Sequence, residues 1–511
     1  MSATLQPQSL LVSPEDEFNR ALVENVHPPA WINPKPSGRY NLVVIGAGTA
    51  GLVSAAGAAG LGGKVALIER HLMGGDCLNF GCVPSKALIS AGRVAHSINT
   101  AGEFGVSAGV ESGRVSFSKV MERMRRMRAG ISHHDSAARF TKLGVDVFLG
   151  DAKFVSPDTV EVGGERLTFA KAVIASGARA AGLPVPGMQE AGFLTNETVF
   201  SLTELPSHLL VIGSGPIGCE MAQAFRRFGS RVTILTDIEQ LLHREDPAVG
   251  ELLAARFASE GIEVLTQVKI LKAGTHGGQK TVVFQQGGAE RQVTGDEILI
   301  AAGRVPNIEG LNLEAAGVKF NHYGVTVDEH LRTSNKNIYA AGDICSRYKF
   351  THAADAMARI VIQNALFFGR KRASDLVIPW CTFTEPEVAH VGLTERDAQK
   401  QGREVSSFRV DMGGIDRAIL DGETEGFAKV VTDQKNGRIL GATIVGTHAG
   451  EMIGEMVLAI REKLTLASIS QTIHPYPTQA EAIKRTSDAW MRTRLTTRVQ
   501  GILKWILKVR R

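Results

Sequence analysis

Cysteine is scarce in this chain: five in 511 residues, at positions 77, 82, 219, 345 and 381, and only Cys77 and Cys82 lie close together. So sparse a set cannot staple a loop-rich secreted scaffold, and no Cys/His spacing matches a zinc site. One close pair among few thiols suits a reducing cytosol and a catalytic dithiol. No run of 18 apolar residues occurs, so no segment reads as membrane-spanning. The opening MSATLQPQSLLVSPEDEF lacks a basic n-region and turns acidic at Glu15, Asp16 and Glu17, which argues against a secretory leader. Charge is nearly balanced, 57 Lys+Arg against 52 Asp+Glu, and no nucleic-acid motif accompanies the small excess. With 44% hydrophobic and 21% charged residues the composition is that of a folded globular protein. Its length suggests about three domains.

Glycine is abundant, 55 residues gathered into short motifs. Leu42–Ile45 reads as a buried strand and Gly46-Ala47-Gly48-Thr49-Ala50-Gly51 as the turn after it. An alanine-rich helix then leads to a second strand, Val65–Ile68, ending at Glu69. The pattern returns as strand Leu209–Ile212, loop Gly213-Ser214-Gly215-Pro216-Ile217-Gly218 and strand Val232–Leu235. In such a unit the first glycine permits the tight turn and the second lets backbone approach a pyrophosphate. The third lets helix and strand pack closely, and the helix N-terminus faces the anion. The strand-to-helix setting of both copies gives the motif its meaning, so two dinucleotide sites are expected. Glu69 can accept both ribose hydroxyls and would repel a 2′-phosphate. Thr236 and Asp237 stand at the matching place in the second copy, and no arginine follows before Arg244, so that site favours NADH over NADPH. Three more short apolar runs end at glycine: Ala172–Gly177, which includes Ser176, Ile298–Gly303, and Ile338–Gly342 followed by Asp343.

The segment Gly74-Gly75-Asp76-Cys77-Leu78-Asn79-Phe80-Gly81-Cys82-Val83-Pro84-Ser85-Lys86 holds the close cysteines. In a regular helix they would be separated by about 7.5 Å of rise, whereas a disulfide needs Cα atoms within about 7 Å. If they pair, the segment must leave helix geometry, which Gly81 eases. Pro84 suits a first helical turn. Cys82 would then sit at a helix N-terminus, where the dipole and Lys86 favour its thiolate.

This segment resembles the redox-disulfide signature of the class I pyridine nucleotide-disulfide oxidoreductases, flavoproteins that include dihydrolipoamide dehydrogenase, glutathione reductase and mercuric reductase. The resemblance runs from about residue 40 to 490. It implies an α/β fold: two doubly wound, Rossmann-like domains for FAD and NAD(P), plus an α+β dimerisation domain. The implied FAD domain covers 39–193 and 306–372, the NAD(P) domain 194–305 and the dimerisation domain 373–490. An extension, 1–38, precedes them and a basic amphipathic tail, 491–511, follows. FAD would be held by Gly46, Gly48, Gly51, Glu69, Lys86, Ser176, Gly177 and Asp343. NADH or NADPH would be held by Gly213, Gly215, Gly218, Thr236, Asp237 and Gly303. Cys82 would be the thiolate facing the flavin and Cys77 the thiol that meets substrate. Lys86 would lie by the flavin, paired with Glu220. The working unit would be a cytoplasmic homodimer whose sites draw on both subunits.

One departure bears on substrate. Disulfide reductases place His-Pro-Thr near the C-terminus with a glutamate five residues after the histidine, a general acid/base pair. Here the stretch is Ile473-His474-Pro475-Tyr476-Pro477-Thr478-Gln479-Ala480-Glu481, which puts Tyr476 at the base position, keeps Glu481 and displaces His474 by two. A phenol with a pKa near 10 is a poor base at neutral pH. Tyrosine here, and Arg244–Gly250, resemble the mercuric-reductase branch. Against that branch, the chain ends KWILKVRR without a vicinal cysteine pair, shows no N-terminal Cys-x-x-Cys, and has Phe193 where that branch has tyrosine. The expected reaction passes electrons from NAD(P)H through FAD and Cys77–Cys82 to a metal ion such as Hg(II), bound as substrate at those cysteines, with no structural metal. A small disulfide or a quinone is the alternative acceptor, and a membrane-docked redox-sensing flavoprotein the alternative of another class.

The two ends carry expectations of their own. Ser13-Pro14-Glu15-Asp16 reads as a helix start with Ser13 as N-cap, and Phe18, Leu22 and Val26 recur at helical spacing. That extension is either a packing arm or a loose leader. In the tail, Leu495, Val499, Ile502, Leu503 and Ile506 share one helical face opposite Lys504, Lys508 and Arg511, a pattern for a membrane surface, the inner face of the membrane included, for a protein partner, or for packing on its own dimer.

Overall fold

The computed structural model describes residues 12–106 and 115–511, so the first eleven residues, part of the leader reading, lie outside the described residues. The chain forms two compact units. One holds the residues up to Gly213 with 221–237 and 267–376; the other holds 214–220, 238–266 and 377–511.

The first unit is built on a sheet whose parallel core runs Val145–Leu149, Val65–Glu69, Tyr40–Ile45 and Glu165–Ile174. Ile338–Ala340 pairs parallel with the last of these, Ala340 opposite Ile174. Leu42 to Val44 and Ala66 to Leu67 are wholly buried, as expected for parallel strands covered on both faces. The helix Thr49–Gly60 follows the first strand and the helix Thr351–Leu366 packs beside it. A second parallel set in the same unit runs Arg231–Leu235, His208–Ile212 and Glu297–Ile300, with Val211 opposite both Ile234 and Leu299. These two doubly wound sheets are the α/β architecture expected.

The described part of the extension packs as an arm on the first unit. Its helix spans Glu17–Val26, and Leu22 and Val26 are fully buried in the core of the first unit while Phe18 is half-buried. Its N-cap is Asp16 rather than the expected Ser13. The Asp16 carboxylate accepts the Asn19 N–H at 2.8 Å and pairs with Arg125 at 2.5 Å, so a contact 109 residues away holds the cap. Arg128 donates to the buried Asn19 at 2.7 Å and completes the attachment.

The second unit is an α+β layer. Five antiparallel strands run Pro379–Thr382, Glu387–Gly392, Ile439–Gly446, Phe427–Asp433 and Val405–Asp411. The helices Ala449–Arg461 and Glu481–Arg494 cover the sheet and bury Ile453, Met456, Ile483 and Trp490 in its core. A last helix, Thr497–Val509, follows a break at Leu495–Thr496 and buries none of its residues. Among the described residues no helix is long and apolar enough to cross a membrane.

Candidate redox and dinucleotide-binding site

The cysteine segment leaves helix geometry where the spacing required it to. Gly75–Asn79 makes one short helical turn, the chain breaks at Phe80–Gly81, and a 19-residue helix starts at Cys82. Cys77 is half-buried and Cys82 open at the helix start. The two thiols are hydrogen-bonded to each other, and the Thr351 hydroxyl lies 3.5 Å from Cys82 Sγ. The hydrogen bond from Cys77 does most to hold the Cys82 thiol down at about 6. Burial opposes it, while Thr351 and the charge of Lys86 add to it. Cys77 is correspondingly raised, first because it shares its proton with Cys82 and then by burial. Two other thiols differ in kind: burial raises Cys219, and it pushes Cys345 up to about 12. Of these and the close pair, Cys82 is the thiol that ionises near neutrality.

Asp76, next to Cys77, is held by Asn196 at 2.8 Å and by Arg304 at 3.1 Å. The same Arg304 faces Asp343 at 3.5 Å, and burial raises Asp343 against the pull of Arg304 and Lys349. Motif reading missed Thr351, Asn196 and Arg304. Only Arg304, directly after Gly303, carries any local signal.

The first glycine motif fits a dinucleotide. Gly46 turns at φ +100°, and a Cβ on Gly51 would stand 1.7 Å from the Gly46 carbonyl oxygen, so helix and turn touch at backbone distance. Gly48 caps the helix Thr49–Gly60 with no side chain on its N–H groups, the open end an anion would take. The buried Glu69 carboxylate accepts the Ala47 N–H at 2.6 Å and the His71 N–H at 2.8 Å, which sets its position and leaves lone pairs for sugar hydroxyls. Ser176 donates to Asn307 O at 2.9 Å, and Gly177 follows at φ +68°.

In the second motif Gly213 turns at φ +111°, Gly215 precedes the helix Pro216–Phe228, and Gly218 lies in its first turn. Thr236 is buried at the strand end and Asp237 exposed. Gly303, at φ +128°, leads into the short strand Arg304–Pro306. Lys86 lies one turn into the helix of Cys82, and the buried Glu220 accepts the Phe383 N–H at 3.0 Å.

Tyr476 is 70% exposed and donates to Asp416 at 2.8 Å, a bond that raises its pKa. Glu481 pairs with Arg485 at 2.9 Å. His474 is bound elsewhere: its Nε2 lies 3.1 Å from Glu455, a carboxylate the motif did not point to.

Compared with known families, residues 40–358 match the pyridine nucleotide-disulphide oxidoreductases and residues 378–487 their dimerisation domain. A mercuric reductase of Staphylococcus aureus is 34% identical over 450 residues, 88% of this chain and 82% of that one. A dihydrolipoyl dehydrogenase of Geobacillus stearothermophilus is 33% identical over 462 residues, 88% and 96% of the two chains. Among solved structures, the HOCl-induced flavoprotein disulfide reductase RclA from Escherichia coli superposes with a TM-score of 0.79 at 28% identity, covering 88% of this chain and 99% of that one. The Cu(II) complex of RclA gives a TM-score of 0.80 at the same identity, covering 89% and 100%.

Proposed function

The chain belongs to the pyridine nucleotide-disulphide oxidoreductases, and within that family we propose that it reduces a soft metal ion, Hg(II) first, with electrons from NADH. Membership makes it a flavoprotein enzyme that uses FAD and a pyridine nucleotide and carries the family's dimerisation domain. When bound, FAD would supply the two-electron relay between nicotinamide and thiols.

The other roles are our reading of the site. Gly46, Gly48, Gly51, Glu69, Ser176, Gly177 and Asp343 hold FAD. Gly213, Gly215, Gly218, Asp237 and Gly303 hold the nicotinamide nucleotide, with Thr236 beneath. Lys86 stabilises negative charge beside the thiols. Cys82 stays a thiolate, and Cys77 meets the acceptor. The domains are read as 39–193 with 306–372, 194–305 and 373–490, and the active unit as a homodimer in which Tyr476 and Glu481 serve the second protomer's thiols.

Tyr476 carries the choice of acceptor. A disulfide acceptor must have its S–S bond broken and a proton given to the departing sulfur, the task of a positioned acid/base. Tyr476, bound to Asp416 and raised further from neutrality, is poorly suited to that. Hg(II) binds two thiolates, takes two electrons and leaves as Hg(0), with no sulfur leaving group to protonate. NADH supplies those two electrons as a hydride, leaving NAD⁺ and one proton released to solvent. A second reading rests on His474 and Glu455, a His–carboxylate pair two residues from the base position, which would serve a small disulfide such as lipoamide.

NADH oxidation measured with Hg(II)–thiol complexes, lipoamide and glutathione disulfide separates the two. Metal reduction is expected to be efficient and disulfide turnover on the order of 10²–10⁴-fold below that of a reductase with its base in place. Tyr476→His should raise disulfide turnover and lower metal reduction. Efficient lipoamide turnover without Hg(II) reduction, lost in His474→Ala, would overturn the metal reading and make His474 the base.

A further inference from the structure

The helix Thr497–Val509 has no buried residue. Ile502 is 58% exposed, Trp505 65%, Leu507 68% and Val509 65%, on one apolar side that no part of its own unit covers. Thr496 caps it by accepting the Val499 N–H at 3.4 Å, so the helix starts on its own cap rather than on a tertiary contact. Lys504 and Lys508 project from the side away from Val499 and Ile506.

Charge gives the direction. Seven of the 57 basic residues lie after Asp488 and none of the 52 acidic ones does, so the residues up to Asp488 carry 50 cations against 52 acids. The chain's whole net charge of +5 is therefore concentrated in its last 23 residues.

We infer that the helix Thr497–Val509 docks the protein on an anionic lipid bilayer surface. A wide apolar face, a tryptophan and a polar face of one charge are what an interfacial helix needs. Each basic residue near an anionic leaflet raises partitioning roughly fivefold.

The test is flotation of the full-length flavoprotein with vesicles of phosphatidylglycerol and phosphatidylcholine, and with phosphatidylcholine alone. The protein should float with the first and far less with the second. Lys504→Gln with Lys508→Gln should lower partitioning about thirtyfold. A chain ending at Arg494 should stay in solution while sedimenting as the same oligomer and oxidising NADH with a soluble acceptor at the same rate. Equal flotation of full and shortened chains would overturn the inference, as would no flotation at all. Loss of the oligomer on shortening would overturn it too, by showing that the helix packs between subunits.

Discussion

The hydrogen bond between the two thiols can be removed without touching the flavin motifs, and the structure says what should change. The Cys82 thiol is held at about 6 against an ordinary 9.0, first by the hydrogen bond from Cys77 and then by Thr351 and Lys86. A thiol of pKa 6 is about 90% thiolate at pH 7, and one of pKa 9 about 1%. Cys77→Ala takes away the largest contribution, so the alkylation midpoint of Cys82 should rise from about 6 by more than one pH unit. The rate with iodoacetamide at pH 7 should then fall roughly twofold or more. Cys77→Ser keeps a hydroxyl that can donate to the same sulfur, and its midpoint should stay nearer that of wild type. Rates would be followed from pH 4.5 to 9 on the reduced protein, with Cys82→Ser marking the background from Cys219, Cys345 and Cys381. A Cys77→Ala midpoint still near 6 would refute the reasoning. The thiolate would then be owed to Lys86 and the helix start, and the proton would not be shared.

Three further outcomes are expected. Gly51→Ala must push a methyl into the Gly46 carbonyl, 1.7 Å away, so the purified variant should lose its flavin absorbance, whereas Gly102→Ala, where a Cβ meets nothing, should keep it. Wild type should prefer NADH, and Asp237→Lys should raise the NADPH-to-NADH ratio of kcat/KM by roughly tenfold or more; a wild type that already favours NADPH contradicts this. Burial raises Glu245 to about 7 even though Trp380 donates to it. An unfolded carboxyl ionises near 4.5, so the folded state loses stability as pH climbs from there through 7, on the order of 3 kcal/mol in all. Glu245→Gln should therefore raise Tm more at pH 8 than at pH 5.5, and equal shifts would show that the carboxyl is not the cause.

Much of this protein was legible in local stretches. The strand-turn-helix glycines, the break between Cys77 and Cys82, the helix start at Cys82 and the cationic amphipathic tail helix each depend on about a dozen neighbouring residues, whose backbone preferences and side-chain periodicity act over that range. The family followed from those same stretches.

What only the tertiary structure decided are the partners. Thr351 reaches Cys82 across 269 residues of sequence, and Arg304 reaches Asp76 across 228. Asp16 rather than Ser13 caps the first helix because Arg125 holds its carboxylate. Glu455 rather than Glu481 meets His474, leaving Tyr476 to Asp416. A charged or polar side chain commits to whichever opposite group the packed core leaves within reach, and that choice depends on how distant segments meet in space. Such contacts add to the hold on the Cys82 thiolate and raise the Tyr476 phenol, while the backbone that carries those groups was already written in their immediate neighbours.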